Sequence, residues 1–322
     1  MCRLIVIGNG FDIAHGLPTK YSNFMEYLLA YESQPQFFPG SKYIRLSSLS
    51  PQDQARHRFY EAISKYIPEQ DLWCSFEEAL AILDEEQLQD DNSCYLLGYG
   101  DENWSDSAHH DFQYMIGEAL SFASDIPNYF SQWISHIDTR VFPKVSFDII
   151  NSDCIFLTFN YTDTLETSYG IPTERILYIH GKALRGDNLI LGHHENTLFQ
   201  DEPIPQFQSE EEREIYYENY TEDVRITEAR EIIKAYFRGT YKDTTSIIQQ
   251  NQAFFYSLNS ISEVYILGHS LSAIDFEYFL EIKKYVPLTC QWSISYHSDK
   301  DYYNAQNFIS ALNIQNYHLF YF

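Results

Sequence analysis

The sequence is poor in basic residues. Lys and Arg number 21 against 46 Asp and Glu, which gives a formal charge of -25 over 322 residues. Such a charge repels a phosphate backbone unless basic side chains cluster, and the sequence contains no such cluster. We therefore expect no direct binding of nucleic acid.

Cysteines are few and scattered. They are Cys2, Cys74, Cys94, Cys154 and Cys290. Their number is odd and no two form a CxxC pair, so the spacing predicts neither a disulfide framework nor a zinc ribbon, and it fits a reducing cytoplasm. His193, His194 and Glu195 are adjacent, but neighbours on an extended chain point in opposite directions, so we predict no metal site there.

Long apolar runs are also missing. The stretch from Leu4 to Ile7 is too short for the apolar region of a signal peptide and leads directly into glycines. No stretch is long and apolar enough to span a bilayer. We expect a soluble, cytoplasmic protein that does not enter membranes, and 44% apolar residues are enough for a sizeable core.

One central stretch carries the clearest pattern. Residues 154–159 form an apolar, β-branched and aromatic run of strand length, which stops at a polar cluster that includes Asn160 and Asp163. In an open α/β sheet, ligands bind outside the carboxyl ends of the parallel strands, so both side chains are predicted to lie in that crevice. An Asx turn leading into a helix explains the same residues, because Asn and Asp also accept hydrogen bonds from free backbone N–H groups.

The amino-terminal stretch predicts a second loop at a strand end. Residues 3–7 are typical of a short buried strand, and closely spaced glycines follow, as in loops that bring backbone N–H groups against a phosphate. The loop residues are Gly8, Asn9, Gly10, Asp12 and Gly16. A plain strand-to-helix turn is the alternative. Ile13 replaces the third glycine of GxGxxG, and no acidic strand end follows at the usual distance, which disfavours an ordinary NAD-dependent dehydrogenase.

The remaining pattern alternates strands with long helical segments. Further strands are predicted at 175–179, 188–191, 263–267, 290–296 and 317–322, and helices at about 54–67, 75–89 and 107–137, the last interrupted at Pro127. The segments at about 20–150 and 196–258 are therefore predicted to be helical insertions in a single α/β domain over residues 1–322.

Four motifs occur in a recognisable order: GNGFDIAHGLPTKY, FNYTDTLE, YIHG and LGHSLSAID. Together they resemble the AbiH-like abortive-infection family of bacteriophage-defence proteins, over nearly the whole chain. More distantly, the series is similar to sirtuins, in which a glycine loop, an Asn motif, an HG motif and a late Gly-Ser loop surround NAD. The resemblance implies a Rossmann-like, sirtuin-like α/β domain with a mostly parallel sheet.

The resemblance also implies roles for individual residues. The nucleotide would be bound by Gly8, Asn9, Gly10, Asp12, Gly16, Gly268, His269 and Ser270, and the catalytic residues would be Asn160, His180 and Asp163. Asp163 follows Asn160 by three residues, where the sirtuin pattern has two. The zinc-ribbon cysteines of sirtuin deacetylases are absent, which favours simple cleavage of NAD over protein deacetylation. The implied protein is a metal-free, NAD-cleaving effector of anti-phage abortive infection whose activating signal is unknown.

The chemistry of these residue types suits that reaction. Nicotinamide leaves as a neutral group, so the site must stabilise an oxocarbenium-like sugar and place a water rather than supply a strong acid. The amide of Asn160 can hold the ribose hydroxyls or the water, and His180 can accept a proton.

Two other functions stay open at this point. GHSLS is close to the GxSxG elbow of α/β-hydrolases, with Ser270 as nucleophile and Asp299 and His318 as partners, although Ser272 replaces the last glycine and little chain follows. A non-catalytic nucleotide-binding sensor is the other alternative. The sequence also leaves the oligomeric state open, a homo-oligomer included.

Overall fold

The computed structural model describes residues 3–32, 45–98, 100–102, 108–146, 148–151, 154–201, 207–219 and 223–322. The chain forms two compact units. The first, here called the sheet unit, comprises Met1–Tyr27, Pro127–Leu191 and Lys242–Phe322, and the second, the helical unit, comprises Leu28–Ile126 and Gly192–Tyr241. The interpretation of the sequence as one domain with two insertions stays a prediction.

The sheet unit is built on six parallel strands. They are β1 Arg3–Ile7, β2 Ile155–Thr158, β3 Ile176–Tyr178, β4 Glu263–Leu267, β5 Gln291–Tyr296 and β6 Tyr317–Tyr321. Their order in the sheet is β3-β2-β1-β4-β5-β6, and every neighbouring pair is parallel. This is the 3-2-1-4-5-6 order of the Rossmann fold, so the predicted Rossmann-like α/β fold is confirmed.

Four strands end at the same level. Ile7 of β1 lies opposite Thr158 of β2 and Leu267 of β4, and Thr158 lies opposite Tyr178 of β3. The residues that follow these strands therefore emerge along one edge of the sheet. The strand order reverses at β1 and β4, which is the position where open α/β sheets bind ligands.

The prediction of a strand at 188–191 is wrong. This segment lies outside the sheet, and the N–H of Ile190 donates to the carbonyl oxygen of His180 at 2.9 Å, beyond the end of β3. Leu189 is nonetheless buried. Short apolar runs are ambiguous because burial in a loop and burial in a strand produce the same pattern.

The α-helices of the described residues are α1 Asn9–Ala14, α2 Tyr21–Leu29, α3 Pro51–Tyr66, α4 Glu69–Cys74, α5 Phe76–Ala79, α6 Glu85–Asn92, α7 Asp111–Ala119, α8 Ile126–Ser135, α9 Thr164–Tyr169, α10 Glu210–Asn219, α11 Val224–Gly239, α12 Thr244–Gln250, α13 Gln252–Tyr256, α14 Phe276–Tyr285 and α15 Asp299–Ala311. Short 3-10 helices occur at Leu46–Ser48, Ser93–Tyr95, Ala108–His110, Ser121–Asp125, Thr173–Arg175, Ala183–Arg185, Asn196–Phe199, Ser257–Ser260 and Ala273–Asp275. No helix in the described part of the chain is long and apolar enough to cross a membrane.

Two predicted helices are divided differently from the expectation. The segment 75–89 forms α5 and α6, because the side chain of Asp84 accepts the N–H of Gln87 at 2.9 Å and begins a new helix. The segment 107–137 breaks after α7 rather than at Pro127. Pro127 lies in the first turn of α8, where a missing backbone donor costs nothing.

The core of the sheet unit covers both faces of the sheet. Leu4 and Val6 of β1 pack into one apolar cluster, and Ile5 and Ile7 pack into another, as expected from side chains that alternate along a strand. All four are enclosed, and burying such a side chain contributes roughly 1.5–3 kcal/mol. Because parallel sheets are covered on both faces, their strands appear in sequence as continuous apolar runs.

The helical unit joins helices from two separate segments of the chain. The Gln113 side chain of α7 donates to Glu228 of α11 at 2.7 Å, and the Tyr236 hydroxyl of α11 donates to the Leu80 carbonyl oxygen at 3.1 Å. Arg225 is buried at the start of α11. Its guanidinium donates to the Leu97 carbonyl oxygen at 2.7 Å, which fixes the loop that contains Leu97.

Two glycine turns of the sheet unit pack backbone against backbone. A Cβ atom on Gly10 would lie 2.7 Å from the Gly268 carbonyl oxygen, and one on Gly268 would lie 2.1 Å from the Phe11 nitrogen. Gly268 also has a φ of 63°, in the left-handed region. Only glycine permits this approach of the loop after β1 to the loop after β4.

This contact gives a matched stability test. Gly268→Ala should lower the free energy of unfolding by well over 3 kcal/mol or prevent folding, because strain and backbone overlap add. Gly170→Ala is the control, since Gly170 has a φ of 67° but no atom within 4 Å of its added Cβ, and it should cost roughly 1–2 kcal/mol. Denaturant unfolding measures both, and equal losses would show that the approach of the two turns is not tight.

Candidate functional site

The carboxyl edge of the sheet brings together the ends of β1, β2, β3 and β4. The Phe159 ring, just after β2, lies 5.3 Å from the His180 ring and 4.5 Å from the His269 ring. A Cβ on Gly8 would lie 2.5 Å from the His269 Cα. The structure thus collects at one edge residues that are far apart in the sequence.

The amides of the two glycine turns already have protein partners. The N–H groups of Gly8 and Gly10 donate to the carbonyl oxygens of Leu267 and Gly268 at 3.0 and 2.7 Å, and the Gly268 N–H donates to the Ser295 hydroxyl at 2.8 Å. Backbone packing therefore accounts for these glycines, and a phosphate would have to replace these bonds. Their predicted role in binding a nucleotide stays a prediction.

Two other residues of the first loop have separate positions. The Asn9 side chain donates to the Thr19 carbonyl oxygen at 2.7 Å. Gly16 is exposed in a turn with a φ of 82°, directly after the end of α1. Their nucleotide-binding role likewise stays a prediction.

Asp12 of α1 carries a buried carboxyl group that is only partly paired. Its Oδ2 accepts the Thr162 hydroxyl at 2.6 Å, and that hydroxyl accepts the Thr164 hydroxyl at 3.1 Å. Its Oδ1 has no hydrogen-bond partner among the described residues. Burial raises the pKa of Asp12 to about 6, although Thr162, Thr164 and Asn160 favour the carboxylate.

Asn160 follows β2 and is buried, with its side-chain amide beside the Asp12 carboxyl, whose charged form it favours. Neither Oδ1 nor Nδ2 makes a hydrogen bond of ordinary geometry within the described residues. The expected helix begins after Asp163, whose side chain makes no cap hydrogen bond. The Asx-turn interpretation therefore does not account for Asn160, and a buried unpaired amide at a strand end indicates a group that a ligand could satisfy.

A buried ionic cluster lies at the ends of β3 and β4. Asp275 Oδ1 is 3.4 Å from the Lys242 Nζ and 3.8 Å from the His180 Nε2, and its Oδ2 is 3.4 Å from the His269 Nε2. The Lys242 side chain is fully enclosed. Although burial acts to raise the pKa of Asp275, the charge of Lys242 and the hydrogen bond from His269 hold it well below its usual range.

His180 is a neutral member of this cluster. Burial, followed by the positive charge of Lys242, lowers the pKa of His180 to about 3, while Asp275 and the Phe159 carbonyl oxygen act in the opposite direction. Its Nε2 lies 3.3 Å from the Tyr278 hydroxyl. At pH 7 the ring is therefore uncharged and already has polar neighbours.

Comparison with known proteins adds one finding to this geometry. Residues 4–296 match the model of a protein family described as bacteriophage abortive infection AbiH. The chain belongs to the AbiH family. The role of this family is bacteriophage abortive infection, and the AbiH resemblance predicted from the motifs is confirmed. Searches of curated proteins and of solved structures found no match.

Asp163 is half-buried, unlike the enclosed groups of this AbiH chain. It contributes to a groove of about 360 Å³, which is also lined by residues 135–140, Thr167 and Leu184. The Thr139 hydroxyl donates to the Asp163 carboxylate at 2.5 Å. Its predicted catalytic role stays a prediction, and the structure relates it to Asp12 only through the effect of its negative charge, which raises the pKa of Asp12.

The serine-hydrolase alternative finds little support in the AbiH chain. Ser270 is exposed after β4, but the positive φ values near it belong to Gly268 and Leu271, so the strained elbow is not at the serine. His318 lies opposite Ser293 within β6 rather than beyond its carboxyl end. Ser270, Asp299 and His318 are thus not all brought to one edge of the sheet.

His193 of the AbiH chain is held by protein contacts in the region where metal binding was considered. His193 donates from Nε2 to the Phe237 carbonyl oxygen at 3.0 Å and accepts the Glu195 N–H at Nδ1. Among the residues that the structure describes, no group of three His, Cys, Asp or Glu side chains could hold a metal ion. The absence of a metal cofactor stays a prediction.

Lys242 is the site residue that sequence reasoning missed. It stands just before α12, and no pattern distinguishes it from any other surface lysine in sequence. Asp275 belongs to the LGHSLSAID motif and could have been found there.

The protonation state of Asp12 can be measured through the pH dependence of the free energy of unfolding. Between pH 3.8 and about 6 the native carboxyl keeps a proton that the unfolded chain releases, so its contribution to stability falls as pH rises through this window. The cost at pH 7 is about 3 kcal/mol. Asp12→Asn should therefore be more stable than the wild type at pH 7 by up to that amount, with the difference vanishing near pH 4.

Denaturant unfolding at several pH values provides the measurement. Glu277→Gln, which changes an exposed carboxylate on α14, is the matched control and should show no such dependence. An Asp12→Asn difference that is the same at pH 4 and pH 7 would mean that the carboxyl titrates normally.

Proposed function

We propose that this chain is an effector of abortive infection that cleaves NAD at the carboxyl edge of its Rossmann-like sheet. Family membership supports the defence role. One observation carries the chemistry: the buried amide of Asn160 lies beside the Asp12 carboxyl and favours its charged form, yet Oδ1 of each side chain lacks a hydrogen bond of ordinary geometry. Natural proteins leave few buried polar atoms unpaired, so a pair of them at a ligand-binding edge favours an absent polar ligand.

The unpaired atoms match the hydroxyl groups of a ribose. Asn160 Oδ1 and Asp12 Oδ1 can each accept a hydrogen bond from a hydroxyl, and Asn160 Nδ2 can donate one. Cleavage of the nicotinamide bond develops positive charge on the ribose, and a buried carboxylate nearby would stabilise it. The same edge therefore offers both orientation of the sugar and electrostatic stabilisation.

His180 contributes to this site as a neutral ring. It stands on the strand next to that of Asn160, and its contacts with Tyr278 and Asp275 fix its orientation. An imidazole held neutral in this way adds no positive charge beside an oxocarbenium-like centre.

The enclosure of the site supports control by infection. Asn160, His180 and Asp12 are all buried, so NAD reaches them only after a local rearrangement. A growing cell tolerates an NAD-cleaving protein only while its site is closed. The rearrangement would follow a signal from the phage.

Cellular NAD tests this function directly. Cells that express the wild-type chain should keep normal NAD while growing and lose most of it when a phage that they resist infects them. Cells that express Asn160→Ala should keep their NAD and lose resistance. Resistance with unchanged NAD throughout infection would exclude NAD cleavage as the mechanism of defence.

Single substitutions distinguish the two enzyme hypotheses in purified protein, assayed with an extract of phage-infected cells that supplies the opening signal. Asn160→Ala and His180→Ala should each lower NAD turnover roughly a hundredfold, because each removes a group that orients the reacting sugar or its neighbours. Ser270→Ala should lower nucleotide affinity only modestly, since one exposed hydroxyl contact is typically worth about 1 kcal/mol. A serine hydrolase reverses this ranking, and a sensor binds NAD without turnover.

Each variant must first give a cooperative melt close to that of the wild type. This control is needed most for His180→Ala, because the substitution leaves Asp275 and Lys242 with one polar neighbour fewer. A folded Asn160→Ala chain that cleaves NAD at the wild-type rate would overturn the proposed site.

A further inference from the structure

Two buried groups at the carboxyl edge could accept a proton during the proposed reaction. His180 is the one that the motif suggests, but its Nε2 lies against the Tyr278 hydroxyl and Asp275. The positive charge of Lys242 also opposes protonation of the ring. A proton on His180 would therefore be disfavoured by its surroundings.

The surroundings of the Asp12 carboxyl, in contrast, leave one of its oxygens able to accept a proton. One oxygen is held by the Thr162 hydroxyl at 2.6 Å, which fixes the orientation of the group, and the other oxygen is buried without a partner. The amide of Asn160 is close enough to favour the charged form of Asp12. A water that hydrogen-bonds the free oxygen would thus be held next to the amide.

We infer that Asp12, rather than His180, is the catalytic base of the reaction proposed above, and this inference rests on that proposed function. Water attacks C1′ of the nicotinamide ribose, and a new C1′–O bond forms. The C1′–N bond breaks, and its electron pair leaves with neutral nicotinamide. Asp12 Oδ1 accepts a proton from the attacking water and later releases it, so NAD and water give ADP-ribose, nicotinamide and one proton.

The titration of Asp12 suits this task. Burial raises the pKa of Asp12 to about 6, near enough to neutrality for efficient proton transfer while the group is still mostly ionised at pH 7. The negative charge of Asp163, just before α9, raises the pKa further, and the hydroxyls of Thr162 and Thr164 lower it. The charged groups at the ends of β3 and β4 are Asp275 and Lys242, which pair with each other.

The test is the pH profile of NAD consumption between pH 5 and 8 by the purified full chain, to which an extract of phage-infected cells is added to open the site. The same extract without the chain is the blank. The wild-type kcat should rise with pH and level off, with an inflection near pH 6. Asp12→Asn should lower kcat roughly a hundredfold or more with a smaller change in KM. Glu277→Gln, the exposed control, should keep the wild-type profile.

A second variant tests the role of Asp12 without removing it. Thr162→Val deletes the hydroxyl that stabilises the carboxylate, so the inflection should move to higher pH. A purely structural role of Asp12 would not move the inflection.

The outcomes separate this inference from the function on which it rests. If the wild type consumes NAD and Asp12→Asn retains more than a tenth of the wild-type kcat, the inference fails and the proposed function stands. An inflection that Thr162→Val leaves in place also overturns the inference. If the wild type consumes no NAD even with that extract, the inference and the proposed function fail together.

Discussion

The contact between the two glycine turns determines the geometry of the whole carboxyl edge. The Gly10 N–H donates to the Gly268 carbonyl oxygen at 2.7 Å, and no side chain separates the loop after β1 from the loop after β4. This approach places Asp12, one turn into α1, on the same edge as Asn160 and His269. Because the backbones touch, the site is formed by side chains rather than by an open cradle of amides.

The edge contains two buried carboxyl groups in contrasting environments. Asp275 is surrounded by Lys242, His180 and His269, which keep it ionised, whereas Asp12 has neutral hydroxyls, an amide and the negative charge of Asp163 nearby. The pKa values of the two groups therefore move in opposite directions. Groups whose environments separate their pKa values in this way are typical of acid and base assignments in enzymes.

Burial gives this edge both its reactivity and its cost. A paired buried charge is tolerated because its partner replaces water, but an unpaired one destabilises the fold. Asp12 and Asn160 are the kind of residues that a sequence selected for stability alone would replace with apolar ones. Their presence in the core supports the proposed site, because burial alone favours apolar residues.

Sequence and tertiary structure determined different parts of this description. The apolar runs of β1, β2 and β4, and the polar residues that end them, were visible in sequence because a strand covered on both faces must be apolar throughout. The motif order also identified the family. The sequence did not show that helices break at Asp84 and Leu120, or that residues 188–191 form no strand. Short local patterns fit several structures equally well. Only the fold could place Lys242 beside Asp275, or show which oxygen of Asp12 lacks a partner, because burial and pairing depend on residues distant in sequence.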